Sequence, residues 1–325
     1  MFESTEEIRH VLQSAGVVDT HYHVGPELLV RRYDVKTLAD VAAPFGATLV
    51  LKNHTYPTTP LAALARARFG ANFFGGVVLN KFVGGLNPAA VEGAMSGNRA
   101  KVDDPATDTS PVVVWMPTVH SVAHLELHGF SFDPRWSGCC THGHEPTHPH
   151  PENSEPEAPV VAFAGGVRPT PELIATLEAI AQHGCILATG HLSGAEVKRL
   201  VPLAVEMGIH RVILTHPHHP AINLSDEDQR ELTRFPQVFA EHCFAIHTQD
   251  GVALDAFASA IRMTGPEKVL LSTDFGQVNS DPFPEGTVRY AAELAAKLDG
   301  SISRSEFIAM FCENGRRALN TAKNS

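Results

Sequence analysis

The run Val17-Val18-Asp19-Thr20-His21-Tyr22-His23 sets two imidazoles two residues apart, and on an extended backbone residues at that spacing share one side. Neutral imidazole is the commonest metal ligand in proteins. Three more groups of the same kind close short apolar runs: His191 in ATGHLS, His216 in ILTHPHHP and Asp274 in LLSTDFGQ. Four histidines and one carboxylate form the nitrogen and oxygen set that suits a divalent transition metal, zinc first, with manganese, iron or nickel accepting similar donors. Satisfied core histidines would explain one such pair. They explain four strand ends poorly.

Those residues need a frame that brings them together. Eight short β-branched or apolar runs read as strands, at 16–21, 47–52, 72–79, 112–116, 185–189, 212–215, 238–241 and 269–272. Helical patterns alternate with them. Asn87-Pro88 opens one, Thr170-Pro171 opens another that Gly184 closes, and Ser225 with Asp228 three residues on resembles a cap. Further helical patterns occupy 195–207, 254–263, 287–298 and 303–319. Eight buried strands each followed by a helix point to an α/β fold, the (β/α)8 TIM barrel, as one domain over 1–325. An open doubly wound sheet has the same strand and helix count, but residues ending strands one, five, six and eight converge easily around a ring and badly along a row.

Two stretches stand outside the repeat. One is 98–111; the other is a long His-rich insertion after strand four, at about 119–160, carrying WSGCCTHGHEPTHPHPENSEPEAP. In a barrel, the segments after the strands build the active-site face, so the insertion is expected over the mouth. Its histidines at 120, 124, 128, 142, 144, 148 and 150 read mostly as a solvated polar loop, with His120 and His124 nearest the strand end and best placed to reach the site.

Composition narrows the function. Twenty-five Lys and Arg against 36 Asp and Glu give a net charge of −11, which argues against nucleic-acid phosphates or an anionic membrane as partner. A small-molecule substrate is expected, and a homo-oligomer stays open. The start MFESTEEIRH has no basic or apolar leader character, no apolar run reaches membrane-span length, and the five scattered cysteines (139, 140, 185, 243, 312) lack CxxC spacing, so a reduced, cytoplasmic setting is expected. GxxxxGK[ST], GxGxxG after the first strand, and GxSxG are all missing, which removes phosphate-cradle enzymes and weakens a serine hydrolase.

With HxH after strand one, His after strands five and six and Asp after strand eight, the sequence resembles the amidohydrolase superfamily of metal-dependent (β/α)8 barrels. VVDTHYHVGPE, LVLKNHTYPT, GGVVLNKFVGGLNPAAVE, VWMPT, ATGHLS, THPHHP, AEHCF and LSTDFGQ are similar to an uncharacterised subgroup of amidohydrolase-related proteins. The resemblance implies that His21, His23 and Asp274 hold a first metal, and that His191 and His216 hold a second or orient substrate. One departure is clear. Two-metal members bridge their ions with a carboxylated Lys or a Glu ending strand four, where this chain has Trp115-Met116-Pro117-Thr118.

Lys52 and His54 repeat the i, i+2 spacing at the end of strand two, so both can project into the mouth. Lys52 either becomes carboxylated and serves as a ligand or stays cationic and holds a substrate carboxylate or phosphoryl group. Glu241 and His242, ending strand seven, are candidates to fix an imidazole tautomer or, for Glu241, to meet substrate. Asn80 with Lys81, and Thr118, are further substrate contacts or turn residues. His218 and His219 follow His216 directly, but Pro217 and Pro220 suggest a stiff loop that exposes them. The expectation is a metal-dependent hydrolase with one or two ions, in which metal-activated water attacks a small-molecule carbonyl (amide, ester or lactone) or phosphoryl centre and Asp274 moves the proton. The competing readings are a nonhydrolytic metal-dependent decarboxylase or lyase on the same barrel, and a His-rich metal-binding or sensing protein without catalysis.

Overall fold

The computed structural model describes residues 2–27, 29–98, 110–128 and 158–321. Eight parallel strands lie in chain order around a ring: β1 (Val18–His23), β2 (Thr48–Lys52), β3 (Asn72–Val78), β4 (Val112–Trp115), β5 (Ile186–Ala188), β6 (Val212–Thr215), β7 (Val238–Cys243) and β8 (Val269–Ser272). Closure lies just past the end of β8. There Tyr22 bridges Phe275 in parallel, the Asp274 amide donates to the His21 carbonyl at 2.9 Å, and the His23 amide donates to the Phe275 carbonyl at 2.7 Å. The chain is a (β/α)8 barrel, and the open sheet is excluded.

The barrel interior is a packed plug of Val18, Val50, Phe74, Val78, Val113, Trp115, Ile186, Ile213, Phe239 and Leu270, sealed from below by Ala318 and Leu319. Bulky side chains from successive strands fill such a ring, so chemistry is confined to the end where the strands stop. Trp115 tops the plug. Its ring lies 5.9 Å from that of His21, and the Lys52 ammonium sits 5.7 Å from its centroid, so the polar layer begins directly on this apolar floor.

The expected helix starts are present. Asn87, Thr170 and Ser225 each accept an amide of the first turn, and Pro88 and Pro171 occupy positions whose N–H has no helical partner. Two expectations are corrected. β1 and β7 each continue two residues beyond the apolar run, through Tyr22-His23 and His242-Cys243, because the polar ends of these strands remain buried and ladder-bonded. The single last helix is two, Arg304–Phe311 and Glu313–Leu319, broken at Cys312. The break lets Asn314 donate to the carbonyls of Pro266 and Val269, at 2.8 Å each, and fits Gly315 against Val18.

The insertion enters as a short helix, Val122–Leu127, and returns at Val160, whose amide donates to the His120 carbonyl at 2.7 Å. Cys139, Cys140 and the histidines from 142 to 150 lie outside the described residues. No helix among the described residues is long and apolar enough to cross a membrane.

Candidate metal centre

β1 pairs with β2 through a slipped register between Asp19 and Tyr22, a bulge that puts an extra residue into β1. Two successive side chains therefore reach one acceptor. Thr20 donates its hydroxyl to Glu241, and the other oxygen of Glu241 lies 3.1 Å from His21 Nδ1. The bulge is clamped by Asp19, which accepts the His21 amide at 3.0 Å, the Thr273 amide at 3.1 Å and the Thr273 hydroxyl at 2.6 Å. With Nδ1 committed to a carboxylate, His21 turns Nε2 into the mouth.

There, His21 Nε2 and His23 Nε2 each lie 3.0 Å from Asp274 Oδ1, and His216 Nε2 lies 3.8 Å from Asp274 Oδ2. A tetrahedral ion with ligands at about 2.0–2.1 Å holds its donor atoms roughly 3.3 Å apart. The donor set also fits by its unmet needs: both ring nitrogens of His23, both of His216 and Asp274 Oδ1 are buried with no hydrogen-bond partner among the described residues. Such atoms are costly unless something else satisfies them, and a cation does.

Two of these groups rest on left-handed backbone. Asp274 has φ 54° and His216 φ 23°, conformations that L residues seldom adopt. The turn at Asp274 is held by Gln277, which donates to its carbonyl at 2.9 Å, and by Gly276 at φ 123°, where an added Cβ would meet the His23 carbonyl oxygen at 2.1 Å. Local strain concentrated where three ligands meet marks the place the fold is built around.

Lys52 is buried with its ammonium 2.7 Å from His21 Nε2, on the side of that ring that faces Asp274. The residues expected at substrate are mostly engaged with one another. His54 Nδ1 lies 3.1 Å from the Thr118 hydroxyl, and Asn80 donates to that hydroxyl at 3.0 Å and to the His54 carbonyl at 3.2 Å while accepting the Thr118 amide at 3.0 Å. Asn80 thus braces the wall between β3 and β4. Glu241, placed among the substrate contacts by sequence, lies behind His21 with both oxygens taken, so it orients the ligand instead. Lys81 is exposed. His242 stacks with His218 and Phe257, ring centroids 5.2 and 5.3 Å away, outside the cluster of ligand side chains.

His191 separates from His216 in its partners. Its Nδ1 lies 2.9 Å from Nδ1 of His124, and its ring packs 4.6 Å from that of His219. The prolines after β6 predict exposure of His218 and His219; instead His219 is buried and His218 half-buried. The Ile222 and Asn223 amides return to the His219 carbonyl, folding the Pro217–Pro220 segment inward over the mouth.

Electrostatics keep most of these rings neutral. Burial, assisted by neighbouring cations, holds His23, His54, His124, His191 and His216 well below the ordinary 6.5, and burial brings His219 to about 4. Burial also pulls on His21, but Asp274 and Glu241 outweigh it and the repulsion of Lys52, raising this ring to about 9. For Asp274, burial pushes upward, and the His21 charge, the close approach of the His21 and His23 ring nitrogens and the Lys52 charge still leave the carboxyl well below the usual range. Neutral His23 and His216 beside an ionised Asp274 are in the protonation states a cation requires, whereas His21 carries a proton that a bound cation would displace.

An acid-unfolding prediction follows for the metal-free protein. Below its ordinary 6.5 each depressed histidine takes a proton in the unfolded chain and not in the fold, so stability is complete above that pH and falls as pH drops toward 4. His242, held down by burial and His218, adds to the same loss. Asp19 and Asp250, lifted by burial to about 7, act oppositely between 3.8 and 7, but these two carboxyls oppose nine rings among the described residues, since burial lowers His128 and His218 as well. His21 contributes below 6.5 and loses its contribution as pH rises through about 9. Thermal melts should show Tm falling steeply once pH passes below about 6.5. A level Tm from there to about pH 5 contradicts this.

A profile for a family of unknown function, DUF6282, matches residues 16–241. The chain belongs to DUF6282. The matched span of this DUF6282 protein contains His21, His23, Lys52, His191, His216 and Glu241 and stops before Asp274. No curated protein matches the sequence. Among solved structures, the DUF6282 chain is similar to a triple mutant of organophosphorus hydrolase from Deinococcus radiodurans, with TM-score 0.53, 13% identity and 95% and 94% of the two chains covered. It is also similar to a probable 2-pyrone-4,6-dicarboxylic acid hydrolase from Acinetobacter baumannii with citric acid bound, at TM-score 0.51, 10% identity and 94% and 99% coverage. Amidohydrolase 2 from Bifidobacterium longum subsp. infantis is similar at TM-score 0.47, 17% identity and 94% and 99% coverage. At these identities the likeness is one of fold, and the fold is the (β/α)8 barrel.

Three contributors are not legible in the sequence: the prolines flanking His219 argue for its exposure, Asp19 has no signal beyond its place in the first strand, and Glu27, whose oxygen accepts the His54 amide at 2.6 Å, has none at all. Glu27 forms a third group with His23 and His54.

Proposed function

We propose that this protein is a metal-dependent hydrolase acting on a small-molecule carbonyl, in an amide, ester or lactone, or on a phosphoryl centre. The observation that carries the reading is the convergence of His21 Nε2 and His23 Nε2 on Asp274 Oδ1, 3.0 Å each, with the His23 nitrogens and that oxygen left without a hydrogen-bond partner among the described residues. His21, His23, Asp274 and His216 would hold a divalent cation, and the nitrogen-rich set favours zinc. Such an ion supplies Lewis acidity and a bound water with a pKa of roughly 7.

The chain's own groups do the rest. Asp274, ionised at neutral pH, accepts the proton of the attacking water and delivers it to the leaving group. Lys52, whose Nζ lies over the Trp115 face, offsets negative charge developing on the substrate oxygen and can anchor an anionic substituent. Glu241 and Asp19 hold His21 and the β1 bulge in place, and Asn80 and Thr118 hold His54 at the wall.

The test is a panel of lactones, esters, anilides and phosphoesters, assayed with metal-reconstituted protein in heavy-oxygen water. Label in the product supports hydrolysis. Release of carbon dioxide without label assigns the same centre to a decarboxylase. A protein that binds no stoichiometric cation at His21 and His23 overturns both.

Glu241→Gln tests the buried brace. The amide still accepts from Thr20 but pairs weakly with the His21 imidazole, so cation affinity should drop about 10- to 100-fold in a chelator competition. Affinity within about twofold of wild type would mean that Glu241 serves packing only.

A further inference from the structure

We infer that the chain carries a second, all-nitrogen cation site formed by His124, His191 and His219, separate from the His21, His23 and Asp274 centre. The ligand atoms of the three rings lie within 4.8 Å of one another and all three residues are buried. The pairing differs from the one the resemblance implies, because His216 faces Asp274 while His191 turns Nδ1 to His124.

The site is built into the backbone. Ser121 donates its hydroxyl to the His191 carbonyl at 2.8 Å and with the same oxygen accepts the His124 amide at 3.1 Å. One side chain thus fixes the end of β5 and the first turn of the helix Val122–Leu127 relative to each other. The His191 amide donates to the Pro117 carbonyl at 3.0 Å, and Gly190 must be glycine there: at φ 57° an added Cβ would meet the Met116 carbonyl at 2.2 Å. β4 ends without an acidic or lysine ligand. The segment following it supplies His124, which adds a neutral imidazole and no bridging anion.

Three uncharged nitrogen donors without a carboxylate select the cation. Zinc, cobalt, nickel and copper(II) accept imidazole sets; magnesium and calcium need oxygen ligands. At 2.9 Å, His124 Nδ1 and His191 Nδ1 share one hydrogen, and a cation that replaces it spreads them to about 3.3 Å, a few tenths of an ångström. His219 is the weakest of the three. Its Nδ1 accepts the Ala221 amide at 3.1 Å, and ligation through Nε2 gives up that bond. With no bridging group, the two sites fill independently.

The experiment is cobalt(II) titration of chelator-stripped full-length protein, read by calorimetry and by visible d–d absorption. Wild type should take two equivalents. His124→Ala should take one, His23→Ala should also take one, of different spectrum, and His219→Ala should bind the second equivalent at least tenfold more weakly. His242→Ala removes an equally buried imidazole elsewhere and should keep both, which separates loss of a ligand from loss of folding. The second site is overturned if wild type binds only the equivalent that His23→Ala loses, or if His124→Ala keeps two. If wild type binds only the equivalent that His124→Ala loses, the first centre and the hydrolase reading fail while this one stands.

Discussion

Asp274→Asn lowers turnover about 10²- to 10⁴-fold, the range of a lost general base, while cation content falls much less. The substitution isolates charge from shape. Asp274 sits at φ 54°, and Asn is one of the few L residues at ease in that left-handed region, so the turn and its bond from Gln277 are retained. The amide oxygen still faces His21 and His23, but it cannot take the proton of an attacking water. Steady-state kinetics on any substrate found by the panel, with metal analysis of the same preparation, separates the effects. Parallel losses of turnover and cation would reduce Asp274 to a ligand and remove it as proton carrier.

Gly276→Ala is expected to destabilise the protein by about 3–5 kcal/mol and to abolish the first cation site. Its Cβ would stand 2.1 Å from the His23 carbonyl oxygen and 2.8 Å from the carbonyl carbon, on backbone at φ 123° that Ala does not adopt. Relief requires β1 to move away from the segment after β8. That motion breaks the 2.7 Å bond from the His23 amide to the Phe275 carbonyl, where the ring closes and where His23 meets Asp274. Gly93, exposed in the helix Pro88–Gly97 with nothing within 4 Å, is the control: Gly93→Ala should stabilise by about 0.5–1 kcal/mol through helix propensity. Urea unfolding of both variants with cobalt titration checks the pair. A Gly276→Ala protein within about 1 kcal/mol of wild type would show that the seam is pliant.

The polar motif at each strand end and the apolar run before it were both legible because they are local. An HxH pair on extended backbone faces one way whatever the rest of the chain does, and eight such runs separated by capped helices leave few topologies. That is why His21, His23, His191, His216 and Asp274 are named from sequence as one group; the fold draws His21, His23 and His216 to Asp274 within a few ångströms and turns His191 to His124. Lys52 was placed at the mouth by the same argument, and the fold sets it against His21.

What sequence left open depends on where loops return and on how adjacent strands register. Pro217 and Pro220 stiffen the segment around His219, but stiffness has no direction; only the bonds that return it to the His219 carbonyl turn it inward. Glu241 reads equally as a substrate contact or a brace until the bulge in β1 lets Thr20 and His21 occupy both its oxygens. His124 belongs to the site because Ser121 ties the segment after β4 to the end of β5, two strands that are neighbours in the ring yet 70 residues apart at the bond. The sequence alone determined the barrel and the residue types at its rim, since both follow from short-range periodicity and residue type. Tertiary structure decided which imidazoles stand together, because that depends on the packing of side chains distant along the chain.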